Sequence, residues 1–202
     1  MYVKICGVRT IDIARVALDA GADAIGVVSS PRSSRHAAPA IAQEVFAFVG
    51  GAADRVLVVN TMPEGDAAAL AAEVGADVLQ LHGSLYAEPD VRHAASALGR
   101  VWRATGWNEF LGHEVGAWGE EALLLDSPVP GSGIGWDVTA LPAAPRGRWL
   151  LAGGLTPDNV ADAIALAHPT GVDVSSGVES APGVKDPERI RRFIEAARST
   201  RP

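Results

Sequence analysis

The chain reads as an α/β protein whose parallel strands close into a single βα barrel. Three observations predict this. Short β-rich runs alternate with alanine-rich amphipathic stretches throughout, eight such pairs can be counted, and Gly-Ala-Asp recurs where a helix hands over to a strand. Strands alternating with helices favour a parallel sheet covered by helices. Eight units close most naturally as a (βα)8 TIM barrel, and 202 residues lie at the compact end of the roughly 200 to 400 usual for that fold. An open doubly wound sheet is the alternative. It is disfavoured because no Gly-x-Gly-x-x-Gly turn follows the first strand to receive a dinucleotide.

The strands are expected at residues 2–6, 24–28, 55–60, 77–81, 100–105, 121–125, 148–152 and 171–174, most of them preceded by a Gly, Asp or Arg turn residue. Helices are expected near 10–20, 39–50, 63–74, 87–98, 107–117, 136–141, 157–167 and 186–199. Thr10 and Thr156 suit N-caps, Pro157 suits the first helical position after Thr156, and Pro39 and Pro63 open apolar-periodic runs. Gly21-Ala22-Asp23 and Gly75-Ala76-Asp77 are repeats of one unit, with Gly171-Val172-Asp173 a near match.

Length and a 48% hydrophobic composition fit one domain spanning residues 1–202 with one sizeable core. A net charge of -7, with no stripe of lysine and arginine, speaks against a nucleic-acid surface. Small molecules are the expected ligands. No apolar run reaches the roughly 18 residues of a membrane span, and the chain enters a strand without a signal-peptide pattern, so a soluble cytoplasmic protein is expected. The single cysteine forms no internal disulfide, which agrees with a reducing compartment. The five histidines show no close-spaced metal motif, and no metal site is expected.

In a barrel the chemistry sits at the carboxyl ends of the strands. The first strand ends in Cys6 and the sixth runs into Asp126, a thiol and a carboxylate placed as a possible proton-transfer pair. A buried cysteine usually packs as a small hydrophobe, so Cys6 alone carries little weight. Lys4 points to the same side as Cys6. An inward lysine must meet a carboxylate, Asp126 or Asp173, and its charge should lower the pKa of the Cys6 thiol. The plainer reading has Lys4 only neutralising an inward aspartate.

After the seventh strand, Gly153 and Gly154 run into a helix start, and after the eighth comes Ser175-Ser176-Gly177-Val178. Two anion-friendly turns on these successive strands match the phosphate site that barrels often carry. Ser176 with the backbone of Gly153, Gly154 and Gly177 is therefore the expected phosphate ring. In the loop after the second strand, Arg32 and Arg35 could grip a second anion, although such arginines are more often solvated. His82, at the end of the fourth strand, reads first as a hydrogen-bonded packing residue.

Several segments stand out together: Lys4-Ile5-Cys6-Gly7, Ser33-Ser34-Arg35, Gln80-Leu81-His82-Gly83, Leu125-Asp126-Ser127, Gly131-Ser132-Gly133 with Trp136-Asp137, Gly153-Gly154-Leu155 with Asn159, and Val172 through Glu179. As a set they resemble the phosphoribosylanthranilate isomerase family of tryptophan biosynthesis. The similarity spans residues 2 to about 195, with the motifs in the family's order, and Pro182-Gly183-Val184-Lys185-Asp186 also resembles the family's loop. The resemblance implies a barrel that converts N-(5-phosphoribosyl)anthranilate to its 1-deoxyribulose isomer by an Amadori rearrangement, with no cofactor and no metal. It assigns Cys6 as general base and Asp126 as general acid, so burial should raise the pKa of Asp126 while that of Cys6 falls. It further implies that Arg35 holds the anthranilate carboxylate, Asp173 a ribose hydroxyl, and the last two turns the phosphate. The expected partner is a small phosphosugar substrate, with no nucleic acid and no membrane, acting on a monomer or homodimer. Pro130 replaces a usual glycine, and residues 29–32 lack the bulky aromatics common there.

Two other readings of the same residues fit less well. A sister isomerase of histidine biosynthesis, alone or as a second specificity, would use aspartates for both roles and a phosphate turn in each half; here the first strand supplies Cys6, and no Gly-Gly turn follows strand three. A phosphosugar-binding barrel without activity would have no need of both Cys6 and Asp126.

Overall fold

The computed structural model describes residues 1–110, 114–126 and 145–199. Eight strands close into a parallel barrel in chain order: β1 (Tyr2–Cys6), β2 (Ala24–Ser29), β3 (Asp54–Val59), β4 (Val78–His82), β5 (Val101–Gly106), β6 (Ala122–Asp126), β7 (Trp149–Leu151) and β8 (Gly171–Val174), with β8 pairing back onto β1. The helices are α1 (Ile11–Asp19), α2 (Pro39–Val49), α3 (Glu64–Val74), α4 (Glu88–Leu98), α5 (Val160–Ala167) and α6 (Pro187–Ser199). A short hairpin, β9 (Glu179–Ala181) and β10 (Val184–Lys185), lies between β8 and α6.

The alternation of the strands decides which residues face the site. Val3 and Ile5 join the outer core against the helices, whereas Cys6, Val58, Ala104, Leu124 and Ala152 fill the barrel interior. At the amino-terminal mouth, Tyr2 meets Trp102 edge to face at 6.0 Å, and the Arg148 guanidinium lies over both rings. Asp54, Arg100 and Glu121 complete this polar plug by ion pairs. These side chains fill the barrel bottom, and in this fold the chemistry sits at the opposite, carboxyl-terminal end.

Local chemistry sets the element ends. Thr10 caps α1 by accepting from the Ile13 N–H, and Pro39 stands at the start of α2. α6 places Ile190, Phe193, Ile194 and Ala197 on one buried stripe, the i, i+3, i+4, i+7 pattern of a helix sealing a core. The two Gly-Ala-Asp units are structurally equivalent: Asp23 accepts from the Val3 N–H and Asp77 from the Arg55 N–H, each tying a strand to the next unit. The near match at 171–173 is not a third copy. There Gly171 is itself the first residue of β8 and Asp173 faces the barrel interior; a Cβ at Gly171 would lie 2.8 Å from Tyr2 O, so the strand pairing there needs glycine.

Three helix expectations need correction. Of the described residues in the stretch expected as a helix at 107–117, Trp107–Glu109 form one 3₁₀ turn and residues 115–117 lie in a turn that runs to 118. Arg103 points outward from β5 there, with its guanidinium 4.2 Å from the Trp118 ring, a cation stacked against this turn. Pro157 is not in α5. Asn159 closes the preceding loop by accepting from Thr156 N–H and donating to Gly154 O, and α5 begins at Val160. Pro63 stands just before α3. The helix expected at 136–141, together with Pro130, Gly131-Ser132-Gly133 and Trp136-Asp137, lies outside the described residues.

Candidate active site

A cavity of about 260 Å³ opens at the carboxyl ends of the strands. Cys6 at the end of β1 and Asp126 at the end of β6 both line it. Arg35, from the loop after β2, and Asp173, from β8, line the same space. Of the four residues expected at the phosphate, Gly153, Gly154 and Ser176 face the cavity. Gly153 and Gly154 both take positive φ (81° and 65°), a pair of conformations that glycine adopts at little cost and that aims backbone into the cavity mouth. Gly177 lies behind them. A Cβ there would fall 1.8 Å from Leu155 O, so bare backbone is what lets the turn after β8 seat against the turn after β7.

Register explains the deepest polar pair. Lys4 stands opposite Asp173 in the β1–β8 ladder, and its ammonium donates to Asp173 at 2.8 Å. Asp173, not Asp126, is thus the carboxylate that Lys4 meets. Burial works against the Lys4 ammonium, but Asp173 and Cys6 outweigh it and raise its pKa, so Lys4 is charged. On the other side, a Cβ at Gly26 would lie 3.1 Å from Lys4 Cε and 3.2 Å from Cys6 Sγ. Glycine on β2 therefore makes room for both side chains.

The Cys6 thiol departs from expectation. Burial pushes its pKa up, and Asp173 adds to that, outweighing the opposite pull of Lys4 and Lys185. Cys6 therefore rests as a thiol, because desolvating a thiolate costs more than two nearby ammonium groups recover. His82 lines the cavity with Nε2 3.8 Å from the Asp126 carboxylate. Burial lowers the His82 pKa, leaving a neutral imidazole beside the acid candidate. His82 is thus a cavity residue rather than only a packing one.

Arg35 reaches the cavity but does not arrive bare. Its Nε and Nη2 donate to the two Glu179 carboxylate oxygens at 2.7 and 2.8 Å, a bidentate pair. Glu179 also accepts from Lys185 Nζ at 2.9 Å, and Lys185 donates in turn to the Ser175 carbonyl. The Ser175 hydroxyl donates to Cys6 O at 3.2 Å, which completes a chain from the Arg35 loop to the strand end that bears the thiol. Arg32 is exposed and does not line the cavity.

Glu179, Lys185 and Gln80 were not singled out from sequence. Gln80 lines the cavity from β4, and its buried Oε1 has no hydrogen-bond partner among the described residues. A polar residue within the apolar run 78–81 was the available signal for Gln80. Glu179 and Lys185 stand in the sequence only as members of the family-like segments, and no period links them across the five residues that separate them. Among the described residues, no three His, Cys, Asp or Glu side chains cluster to hold a metal ion.

Comparison with known proteins agrees with this geometry. The family model for N-(5'phosphoribosyl)anthranilate (PRA) isomerase matches residues 3–196. The N-(5'-phosphoribosyl)anthranilate isomerase of Thiobacillus denitrificans is 40% identical over 98% of both chains. The crystal structure of TrpF from Jonesia denitrificans superposes with a TM-score of 0.93 at 54% identity, covering 99% of this chain and 98% of that one. A phosphoribosyl anthranilate isomerase solved with reduced 1-(o-carboxyphenylamino)-1-deoxyribulose 5-phosphate superposes at 0.82 with 31% identity, covering 98% of each. Barrel and sequence coincide over nearly the whole length, and the chain belongs to the phosphoribosylanthranilate isomerase family.

Proposed function

We propose that Cys6 and Asp126 are the base and the acid with which this single-domain barrel isomerises N-(5'-phosphoribosyl)anthranilate to 1-(o-carboxyphenylamino)-1-deoxyribulose 5-phosphate. The observation that carries this assignment is that thiol and carboxyl line one cavity, from strands separated by β7 and β8. Asp126 protonates the furanose oxygen, the ring C–O bond breaks, and a protonated imine forms at C1. Cys6 as thiolate then removes the C2 proton to give an enolamine, which gains a proton at C1 and loses one from the C2 hydroxyl to become the ketone. The thiolate is the minor form of Cys6, and Lys4 and Lys185 are the charges that favour it.

The substrate's phosphate fits the turns around Gly153, Gly154 and Ser176, whose backbone N–H groups and hydroxyl suit an anion. Asp173 takes a ribose hydroxyl and Arg35 the anthranilate carboxylate, a reading supported by both residues lining the cavity. Gly177 serves the same subsite by holding the two turns together. No described helix is long and apolar enough to cross a membrane, and the protein acts on its small substrate in the cytoplasm as a monomer or homodimer.

The test is Cys6→Ser and Asp126→Asn, each assayed by the fluorescence of the anthranilate substrate. Each should cut kcat by roughly 10²- to 10⁴-fold, the usual worth of one positioned proton transfer, while competitive inhibition by inorganic phosphate stays unchanged. Near-normal turnover in either variant removes that residue from the mechanism.

A further inference from the structure

The guanidinium of Arg35 has two edges able to make paired hydrogen bonds. The Nε–Nη2 edge is occupied by Glu179, and Nη1 has no protein partner among the described residues. Glu179 is itself fixed from three further directions. Lys185 Nζ donates to Oε1 at 2.9 Å, the Gly183 N–H donates to Oε2 at 3.2 Å, and Arg189 donates to its carbonyl. Its side chain is 4% exposed, that of Lys185 2%, and that of Arg35 27%. The buried end of this triad is rigid and its outer end opens on the cavity.

Close packing supports the same arrangement. A Cβ at Gly7 would lie 2.9 Å from Arg35 Cδ, so the turn after β1 backs the arginine stem. A Cβ at Gly183 would lie 2.4 Å from Ser34 O, so the β9–β10 hairpin clasps the backbone beside Arg35. Neither contact is needed to build a barrel. Both restrict where the guanidinium can go.

We propose that Glu179 is a positioning residue for substrate binding, which holds Arg35 by its inner edge so that the Nη1–Nη2 edge meets the anthranilate carboxylate, with Lys185 anchoring Glu179. This rests on the assignment of Arg35 to that carboxylate. Two like charges flank one opposite charge, so the triad keeps a net positive charge for an anionic group. A pre-ordered arginine also loses less side-chain freedom when the substrate arrives.

The experiment compares the enzyme with Arg35→Ala, Glu179→Gln, Glu179→Gln/Lys185→Met, and Arg35→Ala/Glu179→Gln, reading kcat, KM and competitive inhibition by inorganic phosphate. The Lys185→Met change removes the cation that Glu179→Gln would strand, so a folded variant is available if the single one is unstable. The expected result is a KM raised about ten- to a hundredfold in both Glu179 variants, with phosphate inhibition within about twofold of the parent in both and kcat within about twofold in Glu179→Gln; kcat of the double variant also falls, because Lys185→Met removes a charge that favours the Cys6 thiolate. In the Arg35→Ala background, Glu179→Gln should add almost nothing, since the two act through one contact. If Arg35→Ala raises KM but the Glu179 variants do not, the positioning role is wrong and the Arg35 assignment stands. If Arg35→Ala itself leaves KM unaltered, that assignment fails and takes this inference with it. A loss of kcat in Glu179→Gln, or of phosphate inhibition in either Glu179 variant, in parallel with the rise in KM would show a general structural role and overturn the proposal.

Discussion

Lys4 and Asp173 face each other across the β1–β8 ladder, ammonium 2.8 Å from carboxylate, with the Lys4 side chain fully buried. A buried ion pair is weak evidence for stability, because desolvation offsets most of the attraction. Its place matters more. It lies at the base of the cavity, two residues along β1 from Cys6 and on the same inward face, and it sets the field in which the thiol must lose its proton.

Replacing Lys4 with Met should therefore do two things. Asp173 is left as an unpaired buried charge, which costs about 3–5 kcal/mol, or roughly 6–20 °C in Tm for a chain of this size. The Cys6 thiol should also titrate at still higher pH. Thermal unfolding and the pH dependence of alkylation check these separately, and an unchanged Tm would mean that the pair contributes nothing net.

Cys6 in the unliganded protein should react with iodoacetamide slowly at neutral pH. The sign follows from burial: a raised pKa means that the thiolate fraction grows only as pH climbs past the value for an unperturbed thiol, about 8.5. The alkylation rate plotted against pH gives the midpoint directly. A midpoint below that of free cysteine would show that Lys4 and Lys185 overcome desolvation after all.

Gly177→Ala should weaken phosphate binding while leaving the proton-transfer pair in place. The added Cβ would fall 1.8 Å from Leu155 O and 2.8 Å from its carbonyl carbon, and backbone cannot swing aside as a side-chain tip can. Overpacking of this kind costs roughly 1–3 kcal/mol, and here the strain separates the turns after β7 and β8. Inorganic phosphate should inhibit the variant at least about tenfold less well, as weakened contacts to an anion predict; equal inhibition would detach Gly177 from the subsite.

Acid should loosen the β9–β10 hairpin. Although burial alone would raise it, hydrogen bonds from Arg35 and Lys185 hold the Glu179 pKa down to about 2. A carboxylate depressed in the folded state contributes stability that is fully present above its unfolded pKa, about 4.3, and is lost as pH falls toward 2. Glu179→Gln should therefore show a flatter stability profile than the parent between pH 5 and pH 2, measured by denaturant unfolding across that range.

What the chain alone determined is everything with a period or a local chemical signature. Alternation of 2 and 3.6 placed all eight strands to within a residue or two and five of the helices as closely, since burial of one face is written into residue spacing. Cys6 and Asp126 could be read as strand-end groups, and Gly153-Gly154 as a turn, because each stands at a boundary the pattern already marks. Tertiary structure alone decided the rest. Which carboxylate Lys4 meets depends on the register that closes β8 onto β1, and the Cys6 pKa depends on how thoroughly the closed barrel excludes water. The Arg35–Glu179 contact joins residues 144 apart in sequence. The described residues after β5, a 3₁₀ turn at Trp107–Glu109 beside a stacked Arg103–Trp118 pair, were decided in the same way: propensity acts over neighbours in the chain, whereas desolvation, ion pairing and stacking act over neighbours in space.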